Sequence, residues 1–269
     1  MAKISDTDRH AYHEKVKTYV SNTRALLKTE KDLQVEAKKD PARSSLIKLT
    51  LADEMLNLAS NYIANNGVSQ AVLKVKNEEA LNDARKSLYK AVIYLEEIVT
   101  NYIDAPFSDY EEKLAMIDTY DPNMRYFLIR KMGLAIDLLR QAYGDNSKWK
   151  WTFVELEGRF SATAKNMLDL RNLIKNMGPE SEYYESTVYH LRLIKKLLSQ
   201  SADRYREKYE LSTGQTLDFK TGMNYLAALR RIHIILSESE EAEAIKKKIT
   251  IWSHKFESDL KKQEEAKKR

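Results

Sequence analysis

The chain has 269 residues, with 45 Lys or Arg, 40 Asp or Glu, 43% hydrophobic residues and no Cys. Its apolar content is that of an ordinary globular protein, which excludes a wholly disordered chain, and the missing Cys excludes disulfides, thiolate nucleophiles and thiolate zinc sites. The sequence contains neither a signal-peptide-like segment nor an apolar run of about 18 residues, so we expect no membrane association and a cytoplasmic location.

Gly and Pro number only 7 and 4, and most of them mark where a helix is expected to begin or end. Between them apolar residues recur every three or four positions, and no stretch alternates with a period of two, so the pattern predicts helices and no strand. The predicted helices cover residues 6–38, 42–65, 77–104, 109–120, 123–143, 150–177, 181–210, 218–236 and 238–265. The segment from Val68 to Asn77 fits either a loop or a backward extension of the third helix.

These elements predict an all-α fold with about nine mostly antiparallel helices, because the connections are short. We expect a single domain over residues 1–269, built as a helical bundle or a short helical-hairpin solenoid, with a detached N-terminal helix at 1–40 as an alternative. A faint repeat relates Lys90–Glu97 to Leu134–Gln141, which lie 44 residues apart. This spacing differs from the period of about 34 that is typical of tetratricopeptide repeats.

Two predicted helices are apolar around more than half of their circumference. The second carries two adjacent apolar rows, which include Leu51 and Leu56. In the fifth, the apolar residues from Phe127 to Leu139 span about 220°. We therefore expect both helices to be central and covered on several sides. The first and last helices have narrower apolar stripes, as terminal helices of a stack do.

The formal net charge of +5 is concentrated at the C-terminus, because residues 246–269 hold nine basic and four acidic residues. The same predicted helix begins with acidic residues such as Glu240 and Glu241, so its charges complement the helix dipole. This pattern favours an ordinary helix end over a nucleic-acid-binding arm. Residues 261–269 include no large apolar side chain, and we expect this tail to be frayed.

Motifs for the common helical enzymes are missing from the sequence. No His follows a Glu by three residues, which argues against a di-iron bundle, and there is no Walker lysine, glycine-rich phosphate loop or His-Glu-x-x-His motif. His10 and His13 could offer two metal ligands on one helix face, but two ligands do not make a site, and an exposed polar face is the favoured interpretation. We predict no catalytic residue, no metal, no cofactor and no enzyme activity.

Three basic residues interrupt predicted apolar stripes, namely Arg125, Arg171 and Lys195. A buried charge without a partner is costly, so each of them must reach solvent, pair with an acid or face a solvated groove. Separate pairing or solvent exposure is the simpler outcome. The functional hypothesis is that all three line one groove that receives an acidic peptide or another protein, and they are the candidate partner-binding residues.

By elimination and by architecture, the sequence favours a non-enzymatic protein-protein interaction or scaffold module that binds a peptide, a helix or another copy of itself. The main alternative is a ligand carrier or metal-independent enzyme with a polar pocket inside the bundle. The third hypothesis, nucleic-acid binding through the basic C-terminal tail, has no base-reading motif to support it.

Overall fold

The computed structural model describes residues 4–144 and 149–268, and within these ranges it contains ten α-helices and no β-strand. The helices are α1 Asp6–Lys39, α2 Ser44–Leu73, α3 Glu78–Ile98, α4 Glu111–Ala115, α5 Pro122–Tyr143, α6 Lys150–Asn166, α7 Leu173–Asn176, α8 Tyr184–Lys208, α9 Thr216–Ile235 and α10 Ser239–Lys268. The prediction of an all-α fold is confirmed, and the number of helices is close to nine. None of the described helices has an apolar stretch that could cross a bilayer.

The long helices form four hairpins, namely α1 with α2, α3 with α5, α6 with α8, and α9 with α10. In the first hairpin the Tyr12 hydroxyl donates to Asn65 Oδ1, and the Asn61 side chain donates to the Tyr19 carbonyl oxygen. The start of α1 therefore lies against the end of α2, as in an antiparallel pair. The N-terminal helix is packed on its neighbour and does not stand apart.

Helices α1, α3, α6 and α9 lie side by side and run in the same direction, and we call them layer A. Lys90 of α3 donates to Glu30 of α1 at 2.8 Å across 60 residues of sequence. Arg159 of α6 donates to Glu96 of α3 at 3.0 Å across 63 residues. Gly158 of α6 faces the Tyr225 hydroxyl of α9, which continues the layer.

Helices α2, α5, α8 and α10 form a second parallel set, which we call layer B. Lys131 of α5 donates to Asp53 of α2 at 2.6 Å. The α5 and α8 helices begin side by side, and Lys248 of α10 donates to Asp203 of α8 at 2.8 Å. Each hairpin contributes one helix to each layer, so the fold combines the two predicted descriptions as a short solenoid of antiparallel hairpins.

The structural repeat does not have the spacing of the faint sequence repeat. Equivalent positions in neighbouring hairpins are 60 and 63 residues apart where layer A contacts link them. The similar segments Lys90–Glu97 and Leu134–Gln141 lie in α3 and α5, which belong to different layers of one hairpin. Their likeness therefore reflects two core-facing helices and not two equivalent units.

The predicted end of the second helix at residue 65 is wrong, because α2 continues to Leu73 and ends where Lys74 takes a left-handed conformation with φ of 57°. The buried Asn66 side chain does not interrupt its own helix. Instead its Oδ1 accepts a hydrogen bond of 2.8 Å from the Asn77 backbone N–H, at the start of the next helix. Asn and Gly each cost about 1 kcal/mol or less inside a helix, which packing can overcome.

Three other predicted helices are shorter than expected. The helix predicted over 77–104 ends at Ile98, and the one predicted over 150–177 ends at Asn166 and resumes briefly as α7. The helix predicted over 109–120 is reduced to α4 and a preceding 3-10 turn. The ends of α3 and α6 lie together, since the Asn166 side chain donates to the carbonyl oxygens of Thr100 and Tyr102 and holds the loop after α3 against the end of α6.

At the other end of the chain, α10 reaches Lys268, so the backbone of residues 261–268 is helical, and Arg269 lies outside the described residues. Lys261 and Lys262 have exposed side chains. The expectation that residues 261–269 form a frayed tail stays a prediction.

Helix α2 is buried on two adjacent apolar rows, as predicted, and Leu56 in it has no exposed surface. Helix α5 differs from the prediction. Its inner residues are buried, but Phe127, Leu134 and Leu138 are 61%, 61% and 40% exposed. Neighbouring helices therefore cover only part of the wide apolar arc of α5, and the uncovered part leads to the candidate site.

Candidate functional site

The three cations predicted to share a groove are placed in separate ion pairs. Arg125 is buried at the start of α5 and donates to the carbonyl oxygens of Tyr120 and Ile117 at 2.7 and 3.1 Å, with Asp118 Oδ1 at 3.4 Å. Burial lowers the pKa of its guanidinium, although nearby carboxylates oppose this shift. Arg125 thus fixes the turn that leads into α5.

The other two cations meet different acids, and Arg171 lies in the loop between α6 and α7. Arg171 is half exposed and pairs with Glu111 at 2.7 Å, while Lys195 of α8 donates to Glu238 at 2.7 Å. Burial alone would raise the pKa of Glu238, but the Lys195 ammonium and His233 lower it on balance. The structure therefore does not bring Arg125, Arg171 and Lys195 together in one groove, because each of them pairs with a different carboxylate, and their role in binding a partner stays a prediction.

The structure contains a different groove, on the outer side of layer B between α5 and α8, and we call it the α5–α8 groove. Its volume is about 760 Å³. It is lined by Phe127, Arg130, Lys131, Gly133, Leu134, Ile136, Asp137, Arg140, Glu157, Phe160, Leu193, Lys196, Leu197, Gln200, Ser201 and Arg204.

The walls of the groove are parallel because α5 and α8 keep a constant register. The Ser186 hydroxyl donates to Asn123 Oδ1 across 63 residues of sequence, and the Tyr126 and Tyr189 rings stack with centroids 6.3 Å apart. Since both helices rise about 1.5 Å per residue, this register places Leu134 level with Leu197, and the stacked rings mark the N-terminal ends of the two walls.

At the opposite end of the groove, charged side chains join the two walls. Glu157 of α6 accepts hydrogen bonds from Arg140 of α5 and Arg204 of α8, and Arg140 also donates to Asp137 at 2.8 Å. Burial raises the pKa of Glu157, although the two guanidinium groups oppose this shift. One carboxylate from the layer behind thus ties the two walls together.

The floor of the groove depends on a glycine in the middle of α5. A Cβ atom at Gly133 would lie 3.3 Å from Cζ of the buried Phe160 ring of α6, which is tighter than most such contacts. The missing side chain lets α6 approach α5 and leaves a depression between the walls. A glycine inside a helix costs about 1 kcal/mol relative to Ala, so its use here has a packing reason.

Apolar side chains form the lips. Phe127 and Leu134 of α5 are each 61% exposed, and Leu193 and Leu197 of α8 face them half-buried. Together these four side chains make a contiguous apolar strip between polar residues. Such strips on a protein surface commonly mark contact sites for other proteins.

The equivalent gaps elsewhere in layer B are bridged by side chains. Between α2 and α5, the Lys131 ammonium donates to both Asp53 and Asn57, at 2.6 and 2.8 Å. Between α8 and α10, Lys248 pairs with Asp203 at 2.8 Å. In the middle of the α5–α8 gap the facing side chains are apolar or cationic, so no such bridge joins the walls in the described residues there.

The sequence did not predict this site, although one predicted residue is adjacent in sequence to a residue that lines it. The apolar stripe of its helix singles out Lys195, whereas the adjacent Lys196 faces the groove. Two signals were present, namely the apolar arc of α5 that is too wide for its neighbours to cover, and Gly133 at its centre. Neither signal alone shows which helix stands opposite, because register between α5 and α8 is a tertiary property.

Residues 8–260 match the model of a protein family described as the TP0443 family. No curated protein and no solved structure matches the chain.

Proposed function

The chain belongs to the TP0443 family, and we propose that it is a non-enzymatic protein-interaction module whose α5–α8 groove binds a helical segment of a partner protein. The observation that supports this most is the exposed apolar strip on the groove lips, where Phe127 and Leu134 each leave 61% of their surface in contact with water. Covering such a strip is favourable by about 25 cal/mol per Å² of apolar surface.

The shape of the groove supports a helix more than a small molecule. Small-molecule sites usually bury most of their ligand within a concave pocket. The α5–α8 groove instead runs along two parallel helices and exposes its apolar groups on its lips. An amphipathic helix laid along it would place residues i, i+3 or i+4, and i+7 between Leu134 and Leu197, which is a common mode of helix recognition.

The test is a display selection of helical peptides against the intact protein, followed by affinity measurements on the enriched peptides. Leu134→Gln should weaken binding at least tenfold, because it removes an apolar contact at the middle of the groove and leaves the buried core untouched. The matched control is Leu217→Gln on α9, since Leu217 is 69% exposed and lies outside the groove.

Circular dichroism should give the same helical signal and unfolding midpoint for both variants, since both side chains are exposed. If the enriched peptides bind both variants as tightly as the unmodified protein, the groove is not the binding surface. A selection that enriches no peptide would also count against the proposal.

A further inference from the structure

We infer that the segment bound in the α5–α8 groove is an acidic amphipathic helix of about four turns, with carboxylates on both sides of its apolar stripe. This inference rests on the proposed function, because it names the partner chemistry that the same groove would recognise. It is carried by the position of two cations that pair with no acid among the residues that the structure describes.

The lining is strongly biased in charge. Five cationic side chains and two acidic ones face the groove. Three of the cations are already engaged: Lys131 with Asp53, and Arg140 and Arg204 with Glu157. The remaining two, Arg130 and Lys196, form no ion pair with any carboxylate in the part of the chain that the structure describes, and both are exposed.

These two cations stand on opposite walls. Arg130 belongs to α5, where its guanidinium lies 5.5 Å from the centre of the Tyr126 ring, and Lys196 belongs to α8. In the register of the walls, Lys196 is level with Gly133, so the two charges are about one helical turn apart along the groove. A helix seated between them would receive one cation on each flank of its apolar stripe.

The length of the groove sets the length of the helix. The walls run from the stacked Tyr126 and Tyr189 rings to Arg140 and Arg204, which Glu157 holds together. From Tyr126 to Arg140 the rise of α5 is about 20 Å, or four helical turns. Acidic residues flanking a stripe of that length match the groove in charge, and such complementarity acts mainly on specificity and association rate.

The probes are three stapled helical peptides of about 16 residues that share one leucine stripe and differ only in the flanking residues, which are Glu, Gln or Lys. Their affinities are measured by fluorescence anisotropy at low and at physiological ionic strength. The proteins are the unmodified chain, the double variant Arg130→Glu with Lys196→Glu, and a matched reversal of two exposed lysines outside the groove, Lys220→Glu with Lys247→Glu.

We expect the Glu peptide to bind the unmodified chain roughly tenfold more tightly than the Gln peptide, since two partly exposed charge contacts are each worth a few-fold. The Lys peptide should be weakest. The groove double variant should reverse this order, the control double variant should keep it, and added salt should reduce the advantage of the Glu peptide.

Other outcomes separate the two proposals. If the Glu and Gln peptides bind equally and both lose affinity with Leu134→Gln, the groove binds helices but the inference of an acidic partner is wrong. If no peptide binds, or if Leu134→Gln leaves the affinity of the peptides unchanged, the inference and the proposed function are both wrong. Self-association of the chain in analytical ultracentrifugation that is abolished by Leu134→Gln would identify a second copy as the occupant and overturn the acidic-partner inference.

Discussion

Gly158 lies in α6 at a point where two tyrosine rings close in on the helix backbone. A Cβ atom there would lie 2.7 Å from Tyr205 Cε2 and 2.7 Å from the Tyr225 hydroxyl oxygen, whereas ordinary van der Waals contact begins at about 3.4 Å. Both rings are buried, and they stack with their centroids 5.6 Å apart. We therefore expect Gly158→Ala to displace both rings inside the core, because neither can move into solvent.

The size of the effect follows from two opposing contributions. Replacing Gly by Ala in a helix interior stabilises by about 1 kcal/mol, whereas inserting a methyl group into a tightly packed core costs about 1–3 kcal/mol. The net change at Gly158 should thus be a loss of about 0–2 kcal/mol. Gly67 in α2 is the matched control, because it is exposed and a Cβ atom added there would have no neighbouring atom within 4 Å.

Gly67→Ala should stabilise the protein by about 0.4–1 kcal/mol. Since helix propensity contributes to both variants, the difference between them isolates the packing cost, which should be about 1–3 kcal/mol. Urea unfolding followed by circular dichroism measures both, with unchanged m-values as the condition for comparison. Equal shifts of the two midpoints in the same direction would refute the argument that Tyr205 and Tyr225 require a glycine at position 158.

Three further predictions concern stability. Leu56→Ala should lower the free energy of unfolding in urea by about 2–5 kcal/mol, because Leu56 is fully buried, whereas Lys247→Ala at an exposed site should change it by less than about 0.5 kcal/mol. Similar values for the two variants would contradict the placement of α2 in the core. Burial lowers the pKa of His190 to about 4, so its contribution to the free energy of unfolding is complete above the unfolded pKa of about 6.5 and is lost as pH falls towards 4. His190→Gln should therefore flatten the pH dependence of the free energy of unfolding between about 6.5 and 4.5, and an unchanged slope would contradict this prediction. Lys195→Glu should destabilise the protein by about 1–2 kcal/mol, because two carboxylates would then face each other at a partly exposed site. Adding Glu238→Lys should recover most of this loss, and no recovery would show that Lys195 and Glu238 do not stabilise the protein through their ion pair.

The fold class was predictable from local patterns. The 3-4 spacing of apolar residues and the Ser and Asp caps are properties of each segment alone, and the structure has capping side chains at Ser5, Asn77 and Asp121. The predicted helix ends that are wrong lie where tertiary contacts are made. Asn66 lies inside α2 with its side chain hydrogen-bonded to the Asn77 N–H, and Asn166 at the end of α6 is hydrogen-bonded to a loop that is distant in the sequence.

The candidate site was less predictable, because a groove is made by what surrounds it. The wide apolar arc of α5 is visible in the sequence, but the exposure of Leu134 depends on how closely α8 approaches. For the same reason, the sequence could not show which way the predicted cations face. Lys195 and Lys196 are equally basic neighbours, and only the roll of α8 about its axis turns the first towards Glu238 and the second towards the groove.

The arrangement of hairpins in two parallel layers has a consequence for how the protein loses structure. In a stack of this kind each unit gains most of its stability from its nearest neighbours, as in a one-dimensional zipper. The outermost hairpins, α1 with α2 and α9 with α10, each adjoin one other hairpin, whereas the α3–α5 and α6–α8 hairpins adjoin one on each side. Amide protons should therefore exchange fastest at the two ends of the stack and slowest in its middle, which gives a stability gradient along the chain instead of one uniform value.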